Sequence, residues 1–166
     1  WGGTVTIGDV ANRADLETFL GDTLITAFDN ADANGLVNVC ASGNTGETEV
    51  GIYGGVPVYM PEYAEHWLVV GALDANDQIA SFSNRCGMAQ DICLVAPGVD
   101  VNSTYLDGQY ASLSGTSMAA PHVTGSIALL KSNFPELTSA EVVQILKDTA
   151  RDLGTAGVDA VYGHGA

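Results

Sequence analysis

Basic residues are scarce in this chain of 166 residues. Five Lys and Arg stand against 20 Asp and Glu, a formal net charge of −15 at pH 7. The five are Arg13, Arg85, Lys131, Lys147 and Arg151, and they form no cluster. Without a basic patch there is no electrostatic footprint for nucleic acid or for an anionic membrane surface. Charged residues of both signs amount to 15%, low against a typical ~25%, so the acidity reflects missing bases more than added acids. An acidic surface aids solubility and steers basic substrates weakly. No apolar run approaches the ~18 residues of a transmembrane helix, and no membrane contact is expected of this segment. Internal repeats and low-complexity stretches are also lacking; no signal-peptide pattern opens the sequence, whose start reads as lying downstream of the true N-terminus of the gene product. Cysteine is confined to Cys40, Cys86 and Cys93, whose spacing fits no zinc template. Asp74 and Asp77 offer oxygen ligands, but the twelve-residue EF-hand pattern is unmet. A solvated turn is the simpler reading, and no metal site is expected.

What the chain does carry is the run Ser114-Gly115-Thr116-Ser117-Met118-Ala119-Ala120-Pro121-His122-Val123. Ser117 is the candidate nucleophile. A serine hydroxyl attacks a carbonyl only when a base takes its proton, and it must stand clear of the backbone, which Gly115 and Ala119 permit. The small and apolar residues that follow predict a buried helix over about 117–133, with Pro121 in its first turn, where a missing N–H costs least. Ser117 then sits at a helix N-terminus, whose free N–H groups favour a developing oxyanion. A second segment, Leu36-Val37-Asn38-Val39-Cys40-Ala41-Ser42-Gly43-Asn44, reads as an apolar strand ending in a turn.

The rest of the chain alternates between strand and helix patterns, which argues for a parallel α/β sheet. Residues 4–8 read as a short strand. Residues 14–33 carry Leu16, Phe19, Leu20, Leu24, Ile25 and Phe28 at helical spacing, interrupted by Gly21 and stopped by Asn34-Gly35. Strands are expected at 36–41, 67–73 and 92–95. A polar, glycine-rich loop covers 42–66; loops of this length in compact domains are usually functional. Short strands near 100–105 and 109–113 flank an Asp107-Gly108 hairpin turn. Thr138 or Ser139 caps a last helix reaching about Thr149, with Glu141 in its first turn. Of the histidines, His122 lies on another face of the Ser117 helix, His66 reads as a surface residue and His164 as structural. Cys40 reads as a small buried hydrophobe.

The Ser117 run resembles the nucleophile segment of the subtilisin-like serine peptidases, the subtilases. The resemblance covers essentially the whole chain: Trp67 to Leu73, Ile79 to Asn84, Leu94 to Gly98 and Tyr162 to Gly165 are similar to subtilase core segments in the family's order. It implies a subtilisin-like three-layer α/β fold with a mostly parallel sheet. It makes Asn44 the side-chain donor to the oxyanion. It makes Trp1, Gly2 and Gly3 one wall of the substrate pocket and Ala41, Ser42 and Gly43 the other, where an extended peptide can pair with the backbone. Asn84-Arg85-Cys86-Gly87, with Cys93 before Ala96-Pro97-Gly98, resembles the subtilases of Gram-negative autotransporters. Cys86 and Cys93 flank a short loop containing Gly87, so a disulfide is sterically feasible; two unpaired thiols are the other reading. A disulfide implies an oxidising setting, hence a secreted or cell-surface protein. The family often binds stabilising calcium, for which the sequence shows no place, and the chemistry requires no cofactor.

The family orders its triad Asp, His, Ser, and nothing ahead of Ser117 matches its Asp or His segments. Residues 1–166 therefore read as the C-terminal portion of a subtilase catalytic domain with its N-terminal part missing. The expected function is serine endopeptidase action on polypeptides, with the 166-residue chain inactive alone. The missing part is expected as a companion chain, or else the chain self-associates through an open sheet edge and apolar surface. A non-catalytic subtilase-like binding or scaffold module is the alternative. An α/β-hydrolase is disfavoured, because Gly115-Thr116-Ser117-Met118-Ala119 lacks the last glycine of Gly-x-Ser-x-Gly.

Overall fold

The structure, a computed structural model, describes residues 4–166. Three parallel strands form the central sheet in the order β1 (Asn38–Ala41), β2 (Trp67–Leu73), β3 (Cys93–Pro97). All seven residues of β2 are buried. Successive strand side chains point to opposite faces, and here both faces are covered. Trp67 and Val69 face a core built with Ile7, Leu16, Val56 and Met60. Leu68, Val70 and Ala72 face a second core with Leu94, Ala119, Val123 and Val143. The first core is roofed by α1 (Arg13–Leu20), α2 (Asp22–Ala33) and 3-10 turns at Val56–Val58 and Pro61–His66; the second is roofed by α3 (Thr116–Asn133) and α4 (Ser139–Thr149). This is the three-layer α/β arrangement that the sequence implies. β4 (Val101–Thr104) and β5 (Tyr110–Leu113) form the antiparallel hairpin, with Asp107 and Gly108 both at positive φ in its turn.

Several local expectations need correction. Residues 4–8 form no strand: Asp9 accepts from the Thr6 N–H and hydroxyl, folding Ile7–Asp9 into a 3-10 turn and leaving only an isolated bridge from Thr6 to Gly51. The helical pattern over 14–33 is two helices, because Gly21 adopts φ 73° and ends α1 while opening α2. Since α3 begins at Thr116, Pro121 is its sixth residue and lies in the second turn, where it cannot donate to the Ser117 carbonyl. α3 is also less buried than expected: Thr116, Ala119 and Val123 are buried, while Leu129 is 67% exposed. β1 lies at the sheet margin, and among the described residues no strand pairs with its outer edge. The outer edge of β3 is covered by the C-terminal segment, through Val95 N–H to Gly165 and His164 N–H to Cys93.

Candidate active site

The turn between β5 and α3 places Ser117. Gly115 donates to Gly98, and Gly98 donates to Leu73, so the start of α3 is tied to the carboxyl end of β2. Open α/β sheets hold their ligands at this end of the strands. Ser117 is the second residue of α3 and is exposed. Its side chain projects into a cleft of about 790 Å³ that it shares with Asn44, 73 positions earlier.

Asn44 is held by Thr116. The buried Thr116 donates twice to Asn44 Oδ1, from its backbone N–H at 2.8 Å and its hydroxyl at 2.9 Å. The Thr116 hydroxyl also accepts from Gly43 N–H at 3.3 Å. A backbone N–H can only donate, so the oxygen of the Asn44 amide must face Thr116 and the NH2 must face away. That NH2 lies beside Gly115, 3.5 Å from where a Cβ on Gly115 would stand. Among the described residues no acceptor meets Asn44 Nδ2 or the Ser117 N–H. Ser117 and Asn44 thus line one cleft, each with a donor that no described group accepts, at a helix N-terminus whose dipole favours negative charge.

Asn84 was not foreseen as part of this assembly. It is 2% exposed, and its Oδ1 accepts from Thr45 N–H, the Thr45 hydroxyl and Glu47 N–H at 3.0, 3.0 and 3.2 Å. Its Nδ2 donates to the Glu49 carbonyl at 3.0 Å, and its own N–H donates to Gly43. One side chain thus fixes the loop that carries Asn44. Gly43 allows the close approach: at φ 117°, a Cβ there would stand 2.6 Å from Asn84 Nδ2.

Of the expected pocket wall, Ala41 and Gly43 line the cleft. Ser42 does not, because it is fully buried and its hydroxyl donates to the Asn84 carbonyl. Trp1, Gly2 and Gly3 lie outside the described residues. Cys40 also lines the cleft, and burial pushes its thiol up to about 12, which makes it a poor nucleophile.

No described histidine is bonded to the Ser117 hydroxyl. His122 Nδ1 contacts the Met118 carbonyl at 2.9 Å, and His164 Nε2 contacts the Asp91 carbonyl at 3.1 Å. His66 is not a plain surface residue: it is half-buried and pairs with Asp32 at 2.8 Å. This His–Asp pair sits just before β2, at the opposite end of a seven-residue strand that spans about 20 Å. Asp74 accepts from the Gln78 and Asn76 N–H groups, which hold its carboxyl below the usual range, and Asp77 pairs with Arg151. Among the described residues no three metal-ligating side chains converge. Cys86 and Cys93 are joined in a disulfide with their Cα atoms 5.8 Å apart, which ties the Gly87–Ile92 turn to β3.

Comparison with known proteins identifies the family. The profile of the Subtilase family matches residues 6–165. The chain belongs to the subtilase family. It is 43% identical over 143 residues to Subtilisin BL of Lederbergia lenta, covering 86% of this chain and 48% of that protein. It is 36% identical over 149 residues to Serotype-specific antigen 1 of Mannheimia haemolytica, covering 86% of this chain and 16% of the antigen. Among solved structures, the patellamide maturation protease PatA superposes with a TM-score of 0.73 at 27% identity, over 87% of this subtilase and 53% of PatA. The chain thus spans about half the length of the subtilisins it matches.

Proposed function

We propose that this subtilase chain carries the nucleophile and the oxyanion-binding half of a serine endopeptidase site. Ser117 Oγ attacks the scissile carbonyl of a polypeptide and passes its proton to a histidine held by an aspartate. Both of these come from polypeptide outside residues 4–166, as a preceding part of the same domain or a companion chain. As the Oγ–carbon bond forms, the carbonyl oxygen takes the negative charge and receives hydrogen bonds from Asn44 Nδ2 and the Ser117 N–H. The histidine returns the proton to the departing amine, and water then releases the acyl group from Ser117. Ala41 and Gly43 flank the bound peptide, with Trp1, Gly2 and Gly3 assigned to the facing wall. No cofactor is required. The observation that supports this reading is the double tie from Thr116 to Asn44 Oδ1, which leaves the amide NH2 aimed away into the Ser117 cleft.

The Cys86–Cys93 disulfide supports an oxidising, extracellular setting. The cysteine-bearing segment and the identity to a serotype-specific antigen support placement among autotransporter-type subtilases.

Intact-mass measurement with a fluorophosphonate probe tests the proposal. The complete peptidase should gain one adduct, on Ser117, and the Ser117→Ala protein none. The isolated chain should label far more slowly. A complete protein that never labels would make the fold a binding or scaffold module instead. An isolated chain that labels as fast as the complete protein would place the base within this segment.

A further inference from the structure

Cys86 and Cys93 stand behind the cleft rather than in its wall. They are 1% and 0% exposed, inside the core that Trp67 and Val69 face. Cys93 opens β3 and is fixed without the disulfide: it lies opposite Val69 of β2 in the sheet register, and its carbonyl accepts from His164 N–H at 3.0 Å. Cys86 lies in a loop, two positions after Asn84. The bond therefore carries position from the sheet to the loop, not the reverse. Segment 84–88 in turn backs the loop that carries Asn44. The residues on both sides of Asn44 bond to Asn84: the Gly43 carbonyl accepts its N–H at 2.9 Å, and Thr45 N–H donates to its Oδ1 at 3.0 Å. Arg85 N–H donates to the Glu47 carbonyl at 2.9 Å, and Met88 N–H to the Glu49 carboxylate at 2.8 Å. Cys86 sits within this row of groups, between Arg85 and Met88.

We propose that Cys86 and Cys93 are positioning residues for the reaction: their disulfide seats segment 84–88, and through it Asn44, so the oxyanion site is complete only in the oxidised protein. The proposal rests on the reading of Ser117 and Asn44 as peptidase residues. One sulfur–sulfur bond forms between Cys86 and Cys93 as the sulfur–sulfur bond of oxidised glutathione or of a disulfide oxidoreductase breaks. The two protons and two electrons that the cysteines lose reduce it to two thiols. Before that exchange only hydrogen bonds and packing hold segment 84–88, and an oxyanion donor that must reorient forfeits most of its value. After it, both sulfurs are shut in the core, where a reductant reaches them only through local opening. A reducing compartment thus keeps the peptidase in a weakened form, and an oxidising one completes it.

The test compares the complete peptidase with its Cys86→Ala, Cys93→Ala double variant by fluorophosphonate labelling and by amide hydrogen exchange, with circular dichroism to check that both fold. The variant should label about tenfold more slowly, a part of what losing a whole oxyanion donor costs, a figure that comes from a subtilisin asparagine. Its Thr45, Glu47 and Met88 amides should exchange faster. The Glu141 amide, which donates to Thr138 at the start of α4, should not change. Parent refolded with reduced glutathione, its free Cys86 and Cys93 verified by alkylation, should match the variant, and refolding with oxidised glutathione should restore the parental rate. A folded variant that labels as fast as the parent, or slower labelling with unchanged exchange at Thr45 and Glu47, would overturn the proposal. So would failure of both the variant and the reduced protein to fold, which would make the bond a staple of the whole domain. If the parent itself never labels, the nucleophile assignment fails, and the exchange comparison alone still decides whether the disulfide holds the Asn44 loop.

Discussion

Replacing Asn84 with alanine should loosen the candidate site without replacing any residue that lines the cleft. The change removes four side-chain hydrogen bonds: three accepted from Thr45 and Glu47, and one donated to Glu49. Each such bond contributes about 0.5–1.5 kcal/mol net. Thr45 and Glu47 are exposed and regain water, which places the loss near the low end, about 2–3 kcal/mol. For a protein of this size that corresponds to a fall in Tm of roughly 4–12 °C. Asn84→Asp should fall between the two, because a carboxylate still accepts from Thr45 and Glu47 but turns an oxygen toward the Glu49 carbonyl. Differential scanning calorimetry gives the stability, and amide hydrogen exchange gives the location, with Thr45 and Glu47 expected to exchange faster. An Asn84→Ala protein that melts within about 2 °C of its parent, with unchanged exchange at those two amides, would refute the claim that Asn84 holds the loop.

Thr116→Val keeps the shape of the buried side chain but removes the hydroxyl that donates to Asn44 and accepts from Gly43. It should slow fluorophosphonate labelling of the complete peptidase about tenfold, less than the ~10²–10³ attributed to losing such a donor entirely, a figure that comes from a subtilisin asparagine; a labelling rate equal to the parent's would remove Thr116 from the oxyanion assembly. Glu141 accepts from the Thr138 N–H and hydroxyl at 2.7 and 2.8 Å, which lower its pKa. A carboxylate more acidic in the folded state adds stability above its unfolded pKa and loses it as pH falls through its folded pKa. The stability gap between parent and Glu141→Gln should therefore be full at neutral pH and narrow as pH falls from the ordinary Glu value of about 4.3 through the lower folded one; melts across that range that keep a constant gap would contradict it.

Much of the fold was legible because each element carries its cause within a few residues. The strand Trp67–Leu73 is a continuous apolar run, Asp107-Gly108 supplies the two positive-φ positions of a hairpin, and Thr138 with Glu141 writes a capping box. The failures are also local, but they depend on competition between patterns. Thr4 to Ile7 alternate like a strand, yet Asp9 reaches back to Thr6 and wins the chain for a 3-10 turn. The apolar spacing over 14–33 fits one helix, yet Gly21 at φ 73° makes two. At the site, Ser117 and Asn44 stood out by motif. Asn84 lies within two segments that resemble the family's, but its role was not legible there, because its effect is exerted on partners 35 to 39 positions away. Helical spacing did not separate Leu16, which is fully buried, from Phe19, which is 47% exposed.

The placement of these groups separates two parts of catalysis that are usually described together. Charge stabilisation needs donors fixed before the reaction, because donors that must reorient forfeit most of their value. Here both donors are fixed by groups within the described chain: the Ser117 N–H by the α3 backbone, and the Asn44 amide by Thr116 on one side and the Asn84-held loop behind it. Proton transfer needs a base within hydrogen-bond reach, and His66, His122 and His164 are each engaged elsewhere. A base delivered by other polypeptide would therefore meet a site whose electrostatics are already in place. It would have to position only its own imidazole against Ser117 Oγ. On the proposed reading, the polar network around Thr116 and Asn84 holds the oxyanion donors in place whether or not the base is present.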